Sequence, residues 1–170
     1  NRNSWPAVLS DMEVAYETLS RCSESVFVIG FSFGGLIALN MMKEHEIPKT
    51  VLIAPALYPR ERGGIKFSLM LKTIPSLAQW SDPVKFTIAD LIARTRKTVD
   101  GIDQPFLMIQ SVDDPVLSLK GYGFLKKHCK NKYSEFVLYE NGGHVLVTGE
   151  VAEEVFGETE KFLRKNFSRS

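Results

Sequence analysis

The run Val26-Phe27-Val28-Ile29, the glycine-rich Gly30-Phe31-Ser32-Phe33-Gly34-Gly35 and the apolar Leu36-Ile37-Ala38-Leu39-Asn40-Met41-Met42-Lys43 follow one another without a gap. The first reads as a fully buried strand and the last as a helix. Only a very sharp strand-to-helix turn fits between them. Such a turn holds Ser32 in a strained backbone conformation, and a side chain at Gly30 or Gly34 is expected to collide with neighbouring backbone. Strand, G-x-S-x-G and helix together form a nucleophile elbow. The elbow carries Ser32 Oγ to the tip of the sheet and to a helix N-terminus, where the dipole favours a developing oxyanion. An ordinary glycine-rich turn is the plainer reading of the same residues taken alone.

The rest of the chain alternates strands and helices. Residues 4–20 predict an amphipathic helix with Val8, Met12, Ala15 and Leu19 on one face and Pro6 in its first turn. The helix after Ser32 must end before Pro48. Thr50-Val51-Leu52-Ile53-Ala54 reads as a second buried strand stopped by Pro55, residues 105–110 as a third and residues 135–139 as a fourth. Helices are predicted over 118–128 and 150–165, the latter with Val151, Val155, Thr159 and Phe162 on one side. This alternation specifies an α/β fold, a parallel sheet with helices on both faces. Residues 56–100 break the rhythm with Pro59, Gly63, Gly64, Pro75 and Pro83 among large apolar residues. They read as a small helical cap inserted into a single domain over 1–170, or as an excursion packed on the core. Within them, Ile88, Leu91, Ile92, Thr95 and Val99 form a stripe that predicts a core-packing helix.

Composition excludes several classes of partner. Lys and Arg number 21 against 20 Asp and Glu, a net charge of +1, so nothing points to nucleic acid or acidic lipid. The basic run Lys126, Lys127, His128, Lys130 and Lys132 reads as a solvated face at a helix end. Cys22 and Cys129 lack metal or redox spacing and are expected to be buried, reduced thiols of a cytoplasmic protein. No apolar run reaches the ~18 residues of a transmembrane segment.

Two further loops carry chemistry. Ser111-Val112-Asp113-Asp114-Pro115-Val116 follows the third strand, and Glu140-Asn141-Gly142-Gly143-His144-Val145 follows the fourth. Open parallel sheets bind ligands at the carboxyl ends of their strands. A lone Asp or His in a loop is usually a turn or surface residue. A serine, an aspartate pair and a histidine in that chain order, each after a different strand, match one known triad architecture.

On Gly30-Phe31-Ser32-Phe33-Gly34-Gly35, Asp114-Pro115-Val116 and Gly143-His144, the chain resembles the α/β-hydrolase family, most of all bacterial carboxylesterases and monoacylglycerol lipases. The resemblance implies a serine-dependent carboxylic ester hydrolase with Ser32 as nucleophile, His144 as base and Asp114, not Asp113, as the acid. It implies an oxyanion donor at the Phe33 backbone N–H, elbow glycines at Gly30 and Gly34, a helical cap, and no metal or organic cofactor. Phe67, Met70, Leu71, Ile74 and Trp80 of the cap are candidates for a wall around a small-molecule ester with an apolar acyl group. An acyl thioesterase with the same triad and a non-catalytic binding protein of the same fold are the alternatives. Nothing in the chain matches the family's first strands or its H-G-x-x-G-type oxyanion loop. The chain therefore reads as the C-terminal part of such a fold, short of it by ~60–80 residues at ~30 per βαβ unit. The strand before Ser32 is then expected to show a bare edge.

Overall fold

The computed structural model describes residues 4–60 and 83–167. Four parallel strands form its sheet in the order β1-β2-β3-β4: β1 (Val28–Phe31), β2 (Thr50–Ile53), β3 (Phe106–Ser111) and β4 (Glu135–Tyr139). Helices α1 (Trp5–Ser20), α2 (Phe33–Glu44), α3 (Pro83–Thr98), α4 (Lys120–His128) and α5 (Ala152–Arg164) lie between and around them. Every residue of β2 and β3 is buried. Successive strand side chains point to opposite faces, so both faces of the sheet centre are covered.

Helix α2 is the hub. Gly35 to Met42 are buried without interruption, and α2 touches β1, β2, α1 and α3. A helix apolar all round belongs in a core. Its one buried polar side chain, Asn40, donates to Leu36 O at 2.8 Å and to Thr95 Oγ1 of α3 at 2.7 Å. The stripe expected on α3 is buried as read: Ile88, Leu91, Ile92, Thr95 and Val99 are all below a tenth exposed. This part of the predicted cap packs on α2. Phe67, Met70, Leu71, Ile74 and Trp80 lie outside the described residues.

Three expectations need correction. The strand before Ser32 spans Val28–Phe31 and is not fully buried; Ile29 is 54% exposed and Phe27, just before it, 39%. Among the described residues β1 pairs only with β2, so its apolar run meets a neighbour on one side. Helix α1 buries Leu9, with Trp5, Val8 and Tyr16 packed on the core, while Met12 and Leu19 are exposed. Two apolar stripes coexist on α1. The contacting one is fixed by Trp5 Nε1 donating to Asp90 Oδ2 of α3 at 3.0 Å and by Tyr16 OH donating to Glu46 O. Of the two free cysteines, Cys22 is exposed and Cys129 half-buried. Among the described residues no helix is long and apolar enough to cross a membrane.

Candidate active site

The elbow forms as its sequence requires. Ser32 has φ 52° and ψ −113°, a region that costs a non-glycine residue about 1–3 kcal/mol and persists only where the surroundings enforce it. They do so by hydrogen bonds. Ser32 N–H donates to Ile53 O at 2.9 Å, and Ser32 C=O accepts from Gly35 N–H at 3.1 Å and Ala56 N–H at 3.0 Å. The end of β2 thus clasps the nucleophile candidate from one side. A Cβ at Gly30 would lie 2.5 Å from Gly34 O, and one at Gly35 would lie 2.7 Å from Pro55 Cβ. At Gly34 no described atom comes within 4 Å. The collision expected at Gly34 is absent, and the steric demand falls on Gly30 and Gly35. Gly30 and Gly35 lie where strand, helix and the Pro55 turn meet, whereas Gly34, the second residue of α2, meets none of these contacts.

Ser32, Asp114 and His144 converge although 112 residues separate the first from the last. Ser32 Oγ is 3.0 Å from His144 Nε2, and His144 Nδ1 is 2.9 Å from Asp114 Oδ2. An ionised carboxylate only accepts, so Nδ1 carries the imidazole proton and Nε2 offers its lone pair to the Ser32 hydroxyl. Asp114 is fully buried, yet its other oxygen is satisfied: Oδ1 accepts from Val116 N–H at 2.7 Å and Leu117 N–H at 2.8 Å. Each of the three stands just past the carboxyl end of a different strand, β1, β3 or β4. Phe33 occupies the first position of α2.

The neighbouring aspartate goes elsewhere. Asp113 is exposed, and its Oδ1 accepts from Gly143 N–H at 2.8 Å. That bond is the main cause that holds its carboxyl below the ordinary range. Three more contacts escaped sequence reasoning. The Phe31 ring packs on the His144 imidazole with centroids 5.3 Å apart. Arg60 Nε donates to Asp114 O at 2.9 Å and Leu117 O at 3.1 Å, bracing the Asp114 loop from a segment 54 residues upstream of Asp114. Arg96 of α3 donates to Leu57 O and lies 3.8 Å over the Tyr58 ring, which fixes the stretch leading to Arg60. No short motif announces such pairs. Only the adjacency of Asp113 and Ser111 to Asp114 offered a signal.

No protein-family model and no curated protein matches this sequence. Solved structures do match. A monoacylglycerol lipase from Paleococcus ferrophilus aligns over 96% of this chain and 76% of its own, with a TM-score of 0.73 and 18% identity. The fold is that of the α/β hydrolases. A soluble variant of the Saccharomyces cerevisiae monoglyceride lipase, solved with a substrate analogue, aligns with a TM-score of 0.75 at 19% identity, over 95% of this chain and 70% of its own. A Pyrococcus furiosus esterase aligns with a TM-score of 0.67 at 21% identity, over 92% of this chain and 60% of its own. In this fold the Ser32 turn is the strand-to-helix elbow, and the Asp114 and His144 loops follow β3 and β4.

Proposed function

We propose that the protein is a serine-dependent carboxylic ester hydrolase that works through an acyl-enzyme. The observation that carries the proposal is the buried relay Asp114 Oδ2–His144 Nδ1 at 2.9 Å and His144 Nε2–Ser32 Oγ at 3.0 Å, built on a strained elbow. Both distances are already within hydrogen-bonding reach of a proton transfer.

In the first half-reaction Ser32 Oγ attacks the ester carbonyl carbon while its proton passes to His144 Nε2. Asp114 holds the imidazole in the tautomer that can accept, and its carboxylate stabilises the imidazolium. The oxyanion is assigned to the Phe33 backbone N–H at the head of α2, where the helix dipole also favours negative charge. His144 returns the proton to the departing alkoxide as the carbonyl–oxygen bond breaks, leaving the acyl group on Ser32. Water then attacks the acyl carbon and gives a proton to His144 Nε2. His144 returns that proton to Ser32 Oγ as the acyl–Oγ bond breaks, releasing the acid and regenerating the Ser32 hydroxyl and neutral His144. The residues Phe67, Met70, Leu71, Ile74 and Trp80 support an uncharged, apolar acyl group on their sequence alone. The same steps open a thioester, so the assay panel includes 4-nitrophenyl acyl esters and acyl-CoA.

The test is labelling with a fluorophosphonate, which captures an activated serine, followed by mass mapping of the modified peptide. Modification at Ser32, lost in Ser32→Ala, is expected. A correctly folded protein that stays unlabelled would leave a binding protein of the same fold.

A further inference from the structure

We propose that Ser111 and Asp113 form a clamp on the backbone of Gly143 that positions His144. The proposal rests on the reaction proposed above and names two positioning residues for it. The Ser111 hydroxyl donates to Gly143 C=O at 2.5 Å, and Gly143 N–H donates to Asp113 Oδ1 at 2.8 Å. Both polar backbone groups of one residue are therefore held by side chains from the end of β3 and the loop that follows it. That residue immediately precedes His144.

The loop needs such a hold. Gly142 has φ +133° and Gly143 φ +63°, conformations in which glycine has no steric preference of its own to keep the chain in place. Without outside contacts the His144 backbone would pivot about this pair. Above the clamp, Val112 N–H donates to Tyr139 O at 2.8 Å and extends the β3–β4 ladder one step past its end. The end of β3 and the loop after it thus reach β4 and the loop that follows it through Val112, Ser111, Asp113 and Asp114. The first three grip backbone, and the last grips the imidazole itself at 2.9 Å. The imidazole itself is held by Asp114 at Nδ1 and by the packed Phe31 ring. Fixing the backbone just before it holds the other end of the residue and keeps Nε2 facing Ser32.

The two clamps differ in kind. Ser111 is fully buried and its hydroxyl has one proton, which the short contact assigns to Gly143 C=O. Asp113 is exposed and acts only as an acceptor. An asparagine keeps an acceptor oxygen at the same place and an alanine does not. A tether through Oδ1 therefore predicts that Asp113→Asn retains function and Asp113→Ala loses it.

The experiment compares the wild type with Asp113→Ala, Asp113→Asn, Ser111→Ala and the double variant Ser111→Ala/Asp113→Ala in the full-length protein. Three quantities are read: the rate of fluorophosphonate labelling at Ser32, kcat and KM on 4-nitrophenyl butyrate, and the downfield proton resonance of the imidazole Nδ1–H. Misplacing a reacting group by about 1 Å costs on the order of 10² in rate. Loss of one of two tethers is expected to cost about tenfold in kcat and labelling, and loss of both about a hundredfold, with KM nearly unchanged. The Nδ1–H signal should broaden or vanish in Asp113→Ala and persist in Asp113→Asn. Thermal midpoints of the Asp113 variants at neutral pH should fall only slightly below wild type, since the side chain is exposed. Wild-type labelling and an intact Nδ1–H signal in Asp113→Ala would overturn the clamp. So would an Asp113→Asn protein as slow as Asp113→Ala, which would make the charge the agent. A wild type that is not labelled at Ser32 would defeat the hydrolase reading, while the Nδ1–H signal would still decide for or against the clamp.

Discussion

Gly30→Ala and Gly34→Ala should have opposite effects on stability, although the two glycines hold equivalent places in the motif. A Cβ at Gly30 would lie 2.5 Å from Gly34 O, 2.8 Å from Gly34 C and 2.8 Å from Gly35 Cα. All three are backbone atoms of the same turn, so no side chain can rotate away and the elbow itself must open. Overpacking of this kind costs about 1–3 kcal/mol, and a contact made wholly with backbone belongs at about 3 kcal/mol. For a chain of this size each kcal/mol moves the melting temperature by about 2–4 °C, so Gly30→Ala should melt roughly 6–12 °C below wild type. Gly34 is the second residue of α2 and has no described atom within 4 Å of a new Cβ. Alanine there gains about 0.5–1 kcal/mol over glycine in a helix, an increase of roughly 1–4 °C. Thermal unfolding followed by circular dichroism reads both shifts, and the labelling rate at Ser32 reports whether the elbow has opened. If Gly30→Ala melts within a degree of wild type, or Gly34→Ala falls as far as Gly30→Ala, the steric account of this turn is wrong.

Ser32→Ala should remove ester hydrolysis down to the residual ~10³–10⁴-fold acceleration over water that triad variants keep, with near-normal turnover as the refuting result. Ser32→Gly should be equally inactive yet melt higher than Ser32→Ala, because glycine relieves the strain at φ 52°. Asp114→Asn should lower kcat by about 10⁴, because the amide can donate to Nδ1 and so favours the wrong imidazole tautomer; a loss under tenfold would place the acid elsewhere. The Asp113 carboxyl is held low, first by Gly143 N–H. A folded value below the unfolded one gives a contribution complete above about pH 4 and lost as pH falls through the lowered folded value. Melting temperatures between about pH 2 and 5 should therefore depend less on pH in Asp113→Asn than in wild type, and unchanged slopes would refute that linkage.

Strands and helices were legible wherever pattern and burial agree. β2 and β3 are apolar and are covered on both faces, and the α3 stripe Ile88–Leu91–Ile92–Thr95–Val99 is buried along its length. The sequence misled where an apolar pattern has no partner or has two possible ones. Val26 to Ile29 is as apolar as β2, but only one side of β1 meets a neighbouring strand among the described residues. On α1, Val8–Met12–Ala15–Leu19 and Trp5–Leu9–Tyr16 are both acceptable helical stripes. The choice falls to the second because Asp90 and Glu46 wait beside it. The positions of Ser32, Asp114 and His144 were legible because the elbow, the Asp-Pro turn and the Gly-Gly-His loop each leave a local mark. What steadies them left none. Arg60, Phe31 and Ser111 act through contacts that only tertiary structure creates.

The nucleophile candidate follows β1, which pairs only with β2 among the described residues, and its own geometry is held from the β2 side. Ser32 N–H is bound to Ile53 O, and Ser32 C=O receives Ala56 N–H, both from the β2 side. The β2 turn is braced in its own right. Ala54 N–H donates to Ile109 O of β3, Arg96 holds Leu57 O, and Arg60 grips the Asp114 loop through Asp114 O and Leu117 O. Those bonds form one chain of support running from Ser32 through β2 to β3 and the Asp114 loop. The Gly143 contacts then carry it from that loop to His144. The strain at Ser32 is thus enforced from the buried middle of the sheet, where β2 and β3 are covered on both faces and local opening is most costly. Disturbance at the side of β1 away from β2 is opposed at Ser32 by the Ile53 and Ala56 bonds. Disturbance at β2 reaches Ser32, Asp114 and His144 together.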